Sequence, residues 1–309
     1  MKTIMMLGGA KRVSLARHLI EAFRSLGHQA TVLSYELDWR VPAVAVGEVI
    51  QGKRWKDPEL VPDLLRIIEE RHVSLLLPFV DPAVEVCAWL KPLCPDTFIP
   101  VSPVKVCRAM FDKTEAFKVF ADRNLPQPRL GNGVFPRIYK PRKGSASKGI
   151  VVAHCENEVP KDMNPAEYLV QEYVENAREY TVDCYVRSDG KILSVVPRER
   201  LETAGGEAMR SVTVSDGALL RLSRRVLESI ALRGPVTLQF LRTPQDEYLL
   251  MEINPRLGGG VVTSIGAGSR MPLMLAAETL GDMPEPFDGW TPGTLMTRYT
   301  QEIIFAPCK

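Results

Sequence analysis

The chain has 309 residues, 45% of them hydrophobic and 25% charged. These proportions exclude a disordered or collagen-like chain and a small disulfide-stapled scaffold, and the length suits about two domains, or three small ones. Thirty-nine basic residues against 37 acidic give a formal net charge of +2, too balanced to argue for nucleic acid or a membrane surface as partner.

Strand and helix patterns alternate along the first hundred residues. An apolar run at 3–7 ends at Gly8 and Gly9. A helical face of Leu15, Leu19, Ile20, Phe23 and Leu26 follows and stops at Gly27. Strands are expected at 30–33, 44–50, 73–79 and 97–101, and helices at 58–71 and 83–90. Strands separated by helices predict an open parallel α/β sheet. Gly8 and Gly9 do not make a G-x-G-x-x-G turn, so a nicotinamide site is not expected. Arg12 and Ser14 near the helix start, and Asp81 just after a strand, are candidates for a substrate crevice.

The pattern then changes. A helix is expected at 112–123, and residues 134–197 read mostly as strand, most clearly at 151–154, 168–173, 180–186 and 191–196. Ser188, Asp189 and Gly190 suit a hairpin turn. A helix at 218–232, strands at 236–241 and 248–253, a helix at 272–280 and a closing strand at 295–305 complete the chain. The least defined stretch is 102–111. No apolar run approaches the ~20 residues of a transmembrane helix, and the N-terminal apolar stretch is too short for a signal peptide. A cytoplasmic protein is expected. Cys87, Cys94, Cys107, Cys155, Cys184 and Cys308 form no C-x-x-C pair, and with four histidines no zinc spacing arises. They read as reduced thiols.

Three stretches carry chemistry. In residues 247–256, strand alternation puts Leu250, Glu252 and Asn254 on one face. A carboxylate and an amide oxygen two residues apart can share a hard cation such as Mg²⁺. Gln239, on the preceding strand, can add a third oxygen. Arg256 sits past the strand end, where its guanidinium can grip a phosphoryl oxygen or a carboxylate. In residues 139–149, Lys140 ends a strand and a polar loop runs from Gly144 to Gly149 through Ser145, Ala146, Ser147 and Lys148. Backbone N–H groups there can wrap phosphate oxygens, although the loop alone suits a solvated hairpin equally well. It is not a Walker loop, because Gly149 leads into a strand and not into Lys-Ser/Thr and a helix. In residues 169–183, Glu172 lies near a strand end and Glu179 starts the next strand. A carboxylate or backbone carbonyl at Glu172 can accept from an adenine amino group, and Glu179 can take a ribose hydroxyl. Read alone, these are two strands with exposed acids.

Together, and in this order, these motifs resemble the ATP-grasp superfamily over nearly the whole chain, beginning with Asp112 and Lys113 at the start of a helix. Gln239, where many relatives have an acid, is similar to the carbamoyl-phosphate synthase large-subunit branch. The resemblance implies an N-terminal open parallel α/β (pre-ATP-grasp) domain over 1–105. An ATP-grasp fold of two α+β subdomains follows, a lid over 106–180 and a C-terminal subdomain with the metal site over 181–309. It further implies that Lys113 and Lys140 contact nucleotide phosphates and that residues 144–149 close over them. Glu172 with the backbone of Tyr173 and Val174 holds adenine, Glu179 the ribose, and Leu250 packs against the base. Gln239, Glu252 and Asn254 hold two Mg²⁺ ions, with Mn²⁺ as an alternative. Arg256 steadies the transferring phosphoryl group, so Lys140 and Arg256 are the expected catalytic residues. The acceptor site is implied between the first domain and residues 256–270, walled by Arg256, Ser264, Ser269 and Arg270.

The reaction implied is ATP-dependent activation of a small-molecule carboxylate as an acyl-phosphate, and the hydroxyls and two arginines of those walls hint at an anionic substrate, an amino acid being one such. An amine, or less often a thiol, then attacks it. Two alternatives stay open: a carboxy- or carbamoyl-phosphate-forming synthetase, and a non-catalytic nucleotide-binding subunit. Homo-oligomerisation also stays open.

Overall fold

The apolar run near the N-terminus becomes the interior of a parallel sheet. The computed structural model describes residues 1–131, 134–144 and 148–306. The sheet comprises β1 (Lys2–Leu7), β2 (Ala30–Glu36), β3 (Glu48–Gln51) and β4 (Val73–Pro78), in the order β3-β2-β1-β4. Helix α1 (Val13–Ser25) connects β1 to β2, α2 (Leu60–Glu70) connects β3 to β4, and α3 (Asp81–Leu90) follows β4. Both faces of β1 are buried: Ile4 and Met6 pack with Leu15, Leu19 and Phe23 of α1, Met5 and Leu7 with Leu64 and Ile67 of α2. This two-sided burial explains an apolar run without alternation. Two expected strands differ. Residues 42–45 form a 3₁₀ turn with Pro42 at its start, which shortens the third strand to Glu48–Gln51. The segment 97–101 makes only a single bridge, Phe98 to Leu75, and Pro100 has no N–H with which to extend it.

Helices α4 (Val104–Phe111) and α5 (Lys113–Asp122) lead into an antiparallel sheet of β5 (Arg137–Pro141), β6 (Val151–Ala153) and β7 (Tyr168–Glu172), ordered β6-β5-β7. The third sheet is also antiparallel. It takes β8 (Arg178–Val186), β9 (Ile192–Ala204), β10 (Glu207–Thr213), β11 (Gly234–Arg242), β12 (Tyr248–Asn254) and β13 (Leu295–Thr297), in the order β12-β11-β8-β9-β10-β13. Residue 180 thus falls inside β8. The closing strand is three residues long, because β13 pairs only with Arg210–Val212 and the chain then leaves the edge.

Helix α6 (Gly217–Ser229) covers one face of this sheet together with α5. Their core joins Phe117, Phe120, Leu219 and Val226 to Val182, Leu238, Phe240 and Leu250. Helices α7 (Val261–Gly266) and α8 (Met271–Thr279) tie the other face to the first sheet. Tyr185, Leu193 and Val196 share a core with Met271, Leu275 and α1. Cys87, Cys94, Cys107 and Cys184 are buried free thiols; Cys308 lies outside the described residues. No described helix is long and apolar enough to cross a membrane.

Candidate active site

The hairpin of β11 and β12 sets the site's register. Thr237 lies opposite Asn254 and Gln239 opposite Glu252, but Phe240 lies opposite Leu250. Met251 is therefore the extra residue of a β-bulge, and side-chain alternation restarts there. The Leu250 N–H leaves the ladder and donates to Pro126 O at 2.7 Å. Leu250 consequently points into the core beside Phe240 and Ile253, fully buried. Met251, Glu252 and Asn254 face a cavity of about 540 Å³. The burial of Leu250 does not fit the expectation that it packs against a nucleotide base; Met251 is the residue of this strand that lines the cavity beside Glu252, and Ile138 and Leu241 line it too.

Most of the expected residues meet around this cavity. Lys113, Lys140, Gly144, Glu172, Tyr173 and Val174 line one part of it, and Glu179, Gln239, Glu252, Asn254 and Arg256 another. Gly149 does not line it, although Lys148 and Ile150 on either side do. Its φ of +73° and a Pro141 Cγ 3.1 Å from where a Cβ would stand give it a turn-forming role. Ser145 and Ser147 lie outside the described residues.

Lys140 is 7% exposed. Burial holds its ammonium down to a pKa of about 8, against the pull of Glu252 and Glu179, while Lys113 pushes the same way as burial. The start of α5 is fastened to the strand that carries Lys140. Asp112 caps the helix through Thr114 N–H at 3.0 Å and pairs with Arg142 at 2.7 Å. Lys113 N–H donates to Arg142 O at 2.9 Å, and Lys113 Nζ to Gly144 O at 3.0 Å.

Other groups are engaged within the protein. The Glu172 carboxylate accepts from Arg129 N–H at 2.8 Å and Nε at 2.7 Å. Tyr173 N–H donates to Pro136 O at 2.9 Å. Of the two adenine acceptors considered at Glu172, the carboxylate is thus already paired, and Tyr173 N–H is used as well. Glu179 pairs with Arg200 at 2.6 Å; Arg200 also lines the cavity and sequence reasoning missed it. Arg256 donates from Nε to Asp81 at 3.1 Å and from Nη2 to Asn254 Oδ1 at 3.0 Å.

Gln239, Glu252 and Asn254 offer one carboxylate and two amides, hard oxygen donors that suit Mg²⁺ and leave positions for phosphate oxygens. Among the described residues no three His, Cys, Asp or Glu side chains cluster as a metal site, so a cation here depends on those amides and on the ligand. Asn254 Oδ1 already accepts from Arg256, which leaves Glu252 and Gln239 the more available pair.

A second cavity, of about 280 Å³, shares Arg200, Gly206, Gln239, Asn254 and Arg256 with the first and runs on to Arg12, Asp81, Glu207 and Gly258–Gly260. Arg198 closes its floor. Its Nε pairs with Asp183 at 2.8 Å, both side chains being almost wholly buried, and Ser264 Oγ donates to the same carboxylate at 2.7 Å. A Cβ on Gly260 would stand 2.6 Å from the Arg198 guanidinium, so glycine is required there. The acceptor walls expected at Ser264, Ser269 and Arg270 are corrected. Ser264 is buried on Asp183, Ser269 is buried, and Arg270 stacks over Phe287 at 3.9 Å. Arg12 and Asp81 do line the crevice.

Comparison with known proteins agrees with this fold. The family described as ATP-grasp in the biosynthetic pathway with Ter operon matches residues 164–301. A D-alanine–D-alanine ligase of Petrotoga mobilis is 33% identical over 112 residues, covering 31% of this chain and 37% of that protein. The chain thus matches well under half the length of that curated relative. Among solved structures, the ADP complex of N5-carboxyaminoimidazole synthetase from Staphylococcus aureus superimposes with a TM-score of 0.73 at 16% identity, over 92% of this chain and 79% of that one. The biotin carboxylase domain of Hydrogenobacter thermophilus 2-oxoglutarate carboxylase, in complex with MgADP, ADP and bicarbonate, gives a TM-score of 0.73 at 16% identity, over 94% and 72%. These matches do not distinguish the carbamoyl-phosphate synthase branch. Residues 164–301 thus match an ATP-grasp family, and over more than nine-tenths of its length the chain shares the fold of these two solved structures.

Proposed function

We propose that the protein is a ligase that uses ATP and Mg²⁺ to activate a small carboxylate as an acyl-phosphate for attack by an amine. The observation that carries this reading is the meeting of Lys140 with Glu252 and Glu179 in one cavity, beside Arg256 at the mouth of a second cavity. A carboxylate is a poor electrophile because its leaving group is oxide. Transfer of the γ-phosphoryl to its oxygen releases ADP and makes phosphate the leaving group. An amine then attacks the acyl carbon and phosphate departs.

Lys140 supplies charge to the nucleotide phosphates, and the Arg256 fork holds the carboxylate or the phosphoryl oxygens. Ile138, Leu241 and Met251 give the base an apolar slot. Glu252, Gln239 and Asn254 hold the cation, read here as two Mg²⁺ ions replaceable by Mn²⁺. Bound Mg²⁺ neutralises charge on the phosphates. Residues 144–149 exclude water that would hydrolyse the acyl-phosphate. The proposal takes residues 1–105 as the pre-ATP-grasp domain, 106–180 as the lid and 181–309 as the metal-bearing subdomain, in a cytoplasmic enzyme. The likeness to a D-alanine–D-alanine ligase favours an amine over a thiol as acceptor.

The test is a screen of amino acids and small carboxylates for stimulated ADP release with Mg²⁺, with hydroxylamine replacing the amine. A true substrate gives hydroxamate in step with ADP. ADP release with the full substrate set but no hydroxamate, once shielding of the intermediate is excluded, argues for a different acceptor chemistry. No stimulation by any carboxylate sinks the ligase reading.

A further inference from the structure

The second cavity has two chemically distinct ends. Its near end, at Arg200, Gln239, Asn254 and Arg256, is shared with the first cavity. A carboxyl awaiting a phosphoryl group must lie there. Its far end is bounded by Arg12, Glu207 and Gly258–Gly260.

The charges at the two ends balance differently. Arg198 is matched by Asp183 at 2.8 Å, Arg200 by Glu179 at 2.6 Å and Arg256 by Asp81 at 3.1 Å. Arg12 and Arg298 share a single carboxylate, Glu207, at 3.0 and 3.6 Å. Arg298 also donates to Gly259 O and Ala208 O, which anchors it in place. Among the described residues the far end therefore holds one cation more than it has carboxylates. Burial, together with repulsion from Arg256 and Arg298, pulls the Arg12 pKa down against the opposing effect of Glu207. That state is relieved by an incoming anion.

Resting on the ligase reading for its near end, we propose that the far end takes a second anionic group. The molecule activated is then a compact dianion, a dicarboxylate or a phosphorylated carboxylic acid, with its outer anion on Arg12. A cavity of about 280 Å³ admits a few-carbon acid rather than a peptide.

The experiment is calorimetric titration at fixed ionic strength, with and without the Mg²⁺ complex of a non-hydrolysable ATP analogue. The ligands are succinate, glutarate and 2-phosphoglycolate, each against its monoanion: butyrate, valerate and glycolate. At least one dianion should bind about tenfold or more tighter than its monoanion. Arg12→Gln should weaken that dianion on the order of 30-fold and leave the monoanions nearly unchanged. Glu207→Gln removes the competing carboxylate and should tighten dianion binding, a gain that misfolding does not produce. Whether succinate and glutarate or 2-phosphoglycolate wins decides between carboxylate and phosphate as the outer group. Equal affinities within each pair, no binding by any dianion, or a preference that survives Arg12→Gln overturns the proposal. ADP release is then measured with the same panel. Dianion binding without ADP release leaves this assignment standing and sinks the ligase reading; ADP release driven only by monocarboxylates does the reverse.

Discussion

Arg256 Nε donates to Asp81 Oδ1 at 3.1 Å, a bond between the end of β12 and the first residue of α3. It ties the parallel sheet to the strand that carries Glu252 and Asn254. The guanidinium is held on its other side by Asn254 Oδ1 at 3.0 Å, so its orientation depends on both partners. Asp81→Asn keeps the shape and removes the charge. We expect ADP release to fall about tenfold to a hundredfold, the scale of a small misplacement of a reacting group, with nucleotide affinity nearly unchanged. Steady-state kinetics with a parallel nucleotide titration check this. Wild-type turnover would detach Arg256 from the chemistry.

The bulge at Met251 separates two adjacent residues by function. Leu250 is fully buried in the core around Phe240. Leu250→Ala should cost about 2–5 kcal/mol of stability and leave nucleotide affinity nearly unchanged in the folded fraction. Met251 lines the cavity, so Met251→Ala should cost much less stability and weaken nucleotide binding. Denaturant melts and calorimetry on both variants decide it; the opposite pairing of effects would mean that the alternation runs unbroken through this strand.

That pair also marks where sequence reading stops. Lys140, Gln239, Glu252, Asn254 and Arg256 were legible as residues of one cavity from their types and their order along the chain. A bulge depends on how β12 meets β11, and the apolar residues Leu249, Leu250 and Met251 carry no mark of it. The strand expected at 191–196 runs on to Ala204, because Arg198 and Arg200 turn toward the cavities and break the hydrophobic signal where the site is built. Its partner Glu207–Thr213 was missed for the same reason, although Gly205 and Gly206, both at positive φ, form the turn between them. The acceptor walls were misplaced because a serine's side of a short helix depends on packing. Ser264 turned inward to Asp183. Arg12, at the start of α1, and Asp81, at the start of α3, were visible as crevice residues, whereas Ser14, expected beside Arg12, does not line it.

Asp183 and Arg198 form a pair almost wholly withdrawn from solvent, and Gly260 sits directly on the guanidinium. Removing one partner leaves a buried charge uncompensated. Asp183→Asn should therefore destabilise the protein by about 3–5 kcal/mol. In whatever fraction folds, turnover should drop more than nucleotide affinity, since Arg198 floors the second cavity and does not line the first. Thermal unfolding with kinetics at low temperature separates the two effects. A stable variant with normal turnover would show that Arg198 is held by the sheet alone.

If Lys140 contacts the nucleotide phosphates as proposed, it should make nucleotide binding pH-dependent, with a sign that follows from its burial. Its folded pKa is about 8, below the ordinary 10.5. Below pH 8 the lysine is charged in both folded and unfolded chains, and the burial penalty is fully present. Between about 8 and 10.5 the free folded protein has released the proton and the unfolded chain has not, so this group makes stability rise with pH across that window. Nucleotide phosphates favour the charged ammonium, so binding above pH 8 must take up a proton, and affinity should fall as pH rises through that region, by at most about tenfold per pH unit. Calorimetry near pH 9 in two buffers of different ionisation enthalpy reads the uptake directly. Lys140→Met should abolish it and weaken binding at pH 7. Glu252 is the strongest influence holding the Lys140 pKa up, so Glu252→Gln should move the midpoint to lower pH. Proton uptake that persists in Lys140→Met would assign the titration to another group and remove Lys140 from the phosphates.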